Sequence, residues 1–172
     1  MKTGRPEDGL DWLKPGSKVF FQGGPGECQA FIDILKADPE RAAGVELWSC
    51  LVPGMNTFDY GALPGGPSLV TFMASPALER SIATRRTRID AMPYSEIGAT
   101  LARTKFDLAI LHTAAPDRDG LCSFGISAEV APIVWPNAGA VMRTSLAGFS
   151  VVGPGAAGMR PGHCSGASAQ PR

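Results

Sequence analysis

The chain has no net charge: sixteen lysines and arginines balance sixteen acids across 172 residues. No overall field draws it to nucleic acid or to an anionic membrane, so neither is expected as a partner. No window approaches the ~20 apolar residues of a membrane-spanning helix. The first twenty residues, MKTGRPEDGLDWLKPGSKVF, hold Glu7, Asp8 and Asp11 and lack an apolar h-region, which argues against a secretory signal. The four cysteines, Cys28, Cys50, Cys122 and Cys164, are scattered and form no CxxC pair. That pattern fits free thiols in a reducing compartment better than a disulfide framework or a zinc site. A cytoplasmic protein without a metal is the expectation.

What is present is ordinary globular material. Hydrophobic residues make up 44% and charged residues 19% of the chain, enough for one domain with a core and too little for two large ones. Lys18–Gln22 (KVFFQ) is β-rich and ends at glycines, the pattern of a buried strand. Beyond the turn, Ala30, Phe31, Ile34 and Leu35 share a helical face, and Pro39 stops that helix. A second strand is predicted over Val45–Val52, closed by Pro53-Gly54, so the opening reads strand, helix, strand. An irregular stretch over Pro53–Gly66 precedes an apolar run at Ser68–Met73. Ser75-Pro76 supplies a cap and a first-turn proline for a helix ending near Arg85, Arg86 and Arg88. Ser95 caps another, with Ile97, Leu101 and Ala102 inward. Asp107–Thr113 is the clearest buried strand, and Ser127 opens a short helix through Trp135. Alternating strands and helices predict an α/β fold, a mostly parallel sheet with flanking helices.

Acids and lysine vanish toward the end. From Val130 onward only Arg143, Arg160 and Arg172 carry fixed charge, and seven glycines and five prolines fall in the last 43 residues. With no sustained period of 2 or 3.6, residues 139–172 are predicted to be a divergent, largely unstructured tail, with the folded domain at 1–138.

Two turns carry the candidate chemistry. The first is FFQGGPGECQAF. A dinucleotide loop requires GxGxxG, and the third glycine position is Gln29; a P-loop requires a lysine that is absent. What survives is a strand-to-helix turn at a carboxyl end, where open α/β sheets bind ligands, with the Gly23–Glu27 amides available to an anion. A corner needing positive φ explains the same glycines. The second is HTAAPDRDGLCSFG at 112–125. Asp117 and Asp119 fit acid–base or metal chemistry, but Pro-Asp and Asp-Gly are ordinary turn dipeptides, and without another ligand close by the turn reading prevails. His112 reads as a core or edge histidine, the arginines at 85–88 as a solvated helix end, and Trp12, Trp48 and Trp135 as packing residues.

Taken together, KVFFQGGPGE, ERSIATRRTRIDAMPYSEI, FDLAILHTAAPDRDGLCSFGIS and VAPIVWPNA resemble the amino-terminal domain of the acetyl-CoA hydrolase/transferase family. The likeness is greatest to its 4-hydroxybutyrate CoA-transferase-type members and spans about residues 12–138. Its most specific part is the pattern Pro116, Asp117, Gly120, Ser123 and Gly125 after the strand. Cys28 departs from it, standing where the family has proline.

The resemblance implies a CoA-transferase-like (NagB/RpiA/CoA-transferase-like) domain with acyl-CoA and a small carboxylate, acetate or 4-hydroxybutyrate in type, as substrates. Coenzyme A enters as the substrate thioester, and no bound cofactor is expected. In such enzymes a glutamate attacks the thioester, giving an anhydride and then a glutamyl-CoA thioester, while amides stabilise each oxyanion. That glutamate belongs to the family's carboxyl-terminal domain. Glu27, Glu46, Glu79, Glu96 and Glu129 match none of its motif, so no residue here is assigned as catalytic.

Gly23, Gly24, Gly26, Asp117, Gly120, Ser123 and Gly125 are the expected substrate-binding residues, facing a carboxyl-terminal domain supplied in trans. Without it, the bared face implies a homo-oligomer. Met142-Arg143-Thr144 resembles a remnant of the family's Asn-x-x-Met-Pro-Arg-Thr segment, and the composition around it suggests a truncated or frameshifted product. An acyl-CoA hydrolase and a non-catalytic α/β module are the alternatives.

Overall fold

A computed structural model describes residues 2–4, 11–115, 117–119, 121–124, 127–145 and 148–152. Eight strands form one sheet: β1 (Lys2–Gly4), β2 (Lys18–Phe21), β3 (Glu46–Trp48), β4 (Ser68–Thr71), β5 (Thr87–Ile89), β6 (Phe106–His112), β7 (Ala138–Ser145) and β8 (Gly148–Val152). Their order is β1-β8-β7-β6-β2-β3-β4-β5. The six from β7 to β5 are mutually parallel, while β8 and β1 add on antiparallel at one edge.

The inner parallel strands are buried on both faces and read as largely apolar runs, whereas the edge strand β5 exposes Arg88. Val19 and Phe21 of β2, with Leu108 and Ile110 of β6, point to a core closed by α1 (Gln29–Ala37) and by Tyr60, Leu63 and Leu78. Phe20, Ala109 and Leu111 point the other way, to a second core under α3 (Tyr94–Arg103) and α4 (Ala131–Val134). α2 (Glu79–Ala83) links β4 to β5. This is the predicted α/β sheet with helices on its two faces.

Several local expectations change. α1 buries Phe31, Ile32 and Leu35, while Ala30 and Ile34 are only half-buried; its face is rotated toward Ile32. Ser75 does cap, accepting from the Ala77 amide at 3.3 Å, but it opens a 3-10 turn, and α2 stops at Ala83. Arg85 and Arg86 follow the end of α2 as expected, their amides donating to Ile82 O at 3.0 Å and Ser81 O at 2.9 Å, but Arg88 lies beyond it. Arg85 turns the chain at φ +57°, and Arg88 lies in the edge strand β5, paired with Asp90 at 2.8 Å. Three residues were too short a run to show a period.

α3 begins after Pro93, not at a Ser95 cap, and Ala102 is exposed. α4 follows Val130 rather than Ser127. The boundary at residue 138 also moves. Residues 138–145 and 148–152 form β7 and β8, and β7 pairs with β6 from Phe106↔Ala138 to His112↔Thr144. Ala140, Val141 and Met142 are buried there, so scarcity of charge marked an interior strand. Residues 153–172 lie outside the described part.

Candidate functional site

The chain runs β2 to β5 outward on one side of β2, then returns to its other side with β6 and β7. The sheet order therefore reverses between β2 and β6, and loops leaving their carboxyl ends diverge to leave the crevice where α/β proteins bind ligands. The glycine turn leaves β2 there, and the 113–129 segment leaves β6 beside it.

Gln22 joins the two. It is 2% exposed, and its Oε1 accepts from the His112 amide at 2.9 Å while its Nε2 donates to the Ser127 carbonyl at 2.5 Å. Its backbone amide also donates to Ile110 O at 2.9 Å. A buried amide side chain with both ends engaged fixes the spacing of the loops it bridges.

Asn56, also 2% exposed, holds the turn from the β3 side. Its Oδ1 accepts from the Gly24 and Val52 amides, both at 2.8 Å, and its Nδ2 donates to Gly24 O at 3.1 Å.

Each glycine of the turn answers to a different neighbour. A Cβ on Gly23 would run into the Cys50 carbonyl, one on Gly24 into the Glu129 carboxylate, and one on Gly26 into the Gln22 amide. Gly24 also sits at φ +52°. The expected row of amides open to an anion is not found. The Gly24 amide goes to Asn56, Gly26 donates to Gly23 O at 3.0 Å, Glu27 donates to Gly24 O at 3.4 Å, and Pro25 has no N–H. The turn is a closed 3-10 turn, Gly24–Gly26, separate from the start of α1.

In the second turn Asp117 builds the loop. Its Oδ1 accepts from the Asp119 and Leu121 amides, both at 2.9 Å, and its own amide donates to Leu121 O at 2.9 Å. The turn reading of this carboxylate holds, and no cluster of three metal-ligating side chains occurs among the described residues. The Ser123 carbonyl accepts from the Ala114 amide at 2.7 Å, folding the loop back onto the end of β6. Gly120 and Gly125 lie outside the described residues.

Glu129 closes the site. It is exposed, has φ +40°, and lies against Gly24 with its Oε1 accepting from Ser127 Oγ at 3.0 Å. Burial, and then the Glu129 carboxylate, push the Cys50 thiol up to about 12. At the end of β7, Arg143 is 5% exposed and donates to Cys122 Sγ at 2.8 Å, and Thr144 Oγ1 lies 3.3 Å from His112 Nδ1. The sequence reading thus missed the bridging roles of Gln22 and Asn56, which left no local signal, whereas Arg143 stood out as the lone charge in a long apolar stretch and within the Met142-Arg143-Thr144 segment.

Six parallel strands with flanking helices and paired loops at the switch point define a CoA-transferase-like α/β fold. Among solved structures, the chain superposes on RipA from Yersinia pestis with a TM-score of 0.66 at 12% identity, covering 83% of this chain and 36% of that one. It superposes on a 4-hydroxybutyrate CoA-transferase from Porphyromonas gingivalis with a TM-score of 0.57 at 19% identity, covering 81% of this chain and 31% of that one. The chain spans about a third of the length of these proteins. No family model and no curated protein match it.

Proposed function

We propose that the chain is the amino-terminal half of a CoA-transferase, working on an acyl-CoA and a small carboxylate such as acetate or 4-hydroxybutyrate. The observation that carries this reading is the pairing of the two turns at the β2/β6 crevice, bridged by Gln22 and covered by Glu129. The likeness of the fold to a 4-hydroxybutyrate CoA-transferase supports it. In this reading the 23–27 and 114–125 turns form one wall of the acyl pocket. A second domain brings the nucleophilic glutamate, whose attack on the thioester carbonyl expels CoA thiolate and leaves an anhydride. Hydrogen bonds within and between its loops hold the wall, which keeps its geometry constant through both half-reactions.

The test is CoA exchange from acetyl-CoA to labelled acetate, with the chain alone and with a separately expressed carboxyl-terminal CoA-transferase domain. Exchange that requires both parts is the expected result. Exchange by the chain alone would show that the nucleophile lies within it, and its absence in every combination would overturn the reading.

A further inference from the structure

Two buried polar groups at the foot of the glycine turn lack partners among the described residues. Ser49 is fully buried just past β3, and its hydroxyl makes no hydrogen bond. Gly23, also buried, engages only its carbonyl; its amide makes no described hydrogen bond. The two are adjacent, since a Cβ built on Gly23 would lie 2.9 Å from Ser49 Oγ. Leaving such a group unsatisfied costs on the order of 1–3 kcal/mol, so two side by side at a ligand crevice mark a place where an oxygen acceptor belongs.

On the next residue, the chain's own carboxylate is already in position. Glu129 lies against Gly24, held among the described residues by Ser127 alone, with a backbone in the left-handed region that non-glycine residues adopt at a cost. The space is narrow, because Gly23 abuts the Cys50 carbonyl and Gly26 abuts Gln22.

We propose that the Gly23 amide and the Ser49 hydroxyl are paired donors to one oxygen of a small carboxylate, and that Glu129 is the built-in competitor of this subsite. The donors convert to charge-assisted hydrogen bonds when the acid binds, and the exposed Glu129 side chain swings out to admit it. This rests on the transferase reading, and it gives the site a preference for small unbranched acids.

The experiment is an NMR titration of the ¹⁵N-labelled full chain with sodium acetate, against sodium chloride at equal ionic strength. The Gly23 amide is expected to shift with acetate and not with chloride. Glu129→Ala is expected to bind acetate about tenfold more tightly, and Ser49→Ala in that background to lose about tenfold. Ser49→Ala removes a single heavy atom, and a cooperative thermal unfolding transition is the check that the variant is folded. Equal affinity in wild type and Glu129→Ala, full affinity in Ser49→Ala, or shifts that map away from Gly23 would each overturn the subsite.

The exchange assay separates this from the reading beneath it. Acetate bound at Gly23 without exchange would sink the transferase reading and leave the subsite. Exchange with an unchanged acetate KM in Ser49→Ala would do the reverse.

Discussion

The Asn56 side chain grips the backbone of Gly24 on both sides, accepting from its amide at 2.8 Å and donating to its carbonyl at 3.1 Å. These residues are 32 positions apart, on loops leaving adjacent strands β2 and β3. The contact converts a flexible glycine turn into a fixed wall, because the amide and carbonyl that water would otherwise loosen are satisfied inside the protein.

Asn56→Ala is therefore expected to destabilise the fold by about 2–4 kcal/mol, since it strands the buried Gly24 and Val52 amides. Asn56→Asp keeps the acceptor but sets a carboxylate against the Gly24 carbonyl, so it does not rescue. Urea denaturation midpoints measure both, and a midpoint unchanged in Asn56→Ala would show that the clamp contributes nothing.

The glycines are expected to rank by what opposes them. Gly23→Ala meets backbone, the Cys50 carbonyl, and is the most damaging. Gly24→Ala meets the exposed Glu129 side chain, so Glu129→Ala should relieve its steric part while the strain of φ +52°, about 1 kcal/mol, persists. A double-mutant cycle on 24 and 129 reads this coupling directly.

Alkaline pH should weaken the protein through Cys50. The native thiol is raised from 9.0 to about 12, so the folded state holds that proton more tightly than the unfolded state. Its contribution is complete below pH 9 and is lost as pH rises toward 12, at about 1.4 kcal/mol per pH unit. Tyr60, raised by burial and then by Glu27, acts in the same direction above pH 10. Stability measured from pH 8 to 11 should fall less steeply in Cys50→Ala than in wild type; parallel curves would contradict the assignment.

Tyr60→Phe removes only the bond from the hydroxyl to Glu27 Oε1 at 2.9 Å and keeps the ring against Phe21 at 4.3 Å. Its cost is expected to be about 1 kcal/mol. Tyr60→Ala opens the first core and should cost about 3–5 kcal/mol. Thermal unfolding of the pair separates the hydrogen bond from the packing.

Ending the chain at Ala138 would strip β7 and β8 and leave β6 as a bare apolar edge. The shortened protein is expected to lose cooperative unfolding by circular dichroism and to aggregate. A sharp transition in that fragment would return residues 139–152 to the status of a tail.

The strands β2, β3, β4 and β6 and the helices between them were legible because each carries its own period or its own punctuation. KVFFQ ends at glycines, FDLAILH is unbroken, and Pro39 and Ser75-Pro76 mark boundaries that backbone geometry enforces wherever they occur. β5 was hidden because three residues carry no period and its Arg88 continues the run of arginines that follows the end of α2. β7 was hidden because a strand buried beside β6 needs no polar alternation, and it followed a stretch poor in charge.

The chain alone determined that two glycine-bearing turns follow strands and that neither is a nucleotide loop, since spacing is a local property. It also determined that Asp117 makes a turn, because its bonds run to its own loop. Only the tertiary structure decided that these turns meet. That meeting depends on β6 pairing with β2 across 89 residues, on Gln22 reaching Ser127 and the His112 amide, and on Glu129 arriving at Gly24. The orphaned Ser49 hydroxyl belongs to the same category, because whether a polar group finds a partner is settled by packing between distant segments and leaves no trace in its neighbours along the chain.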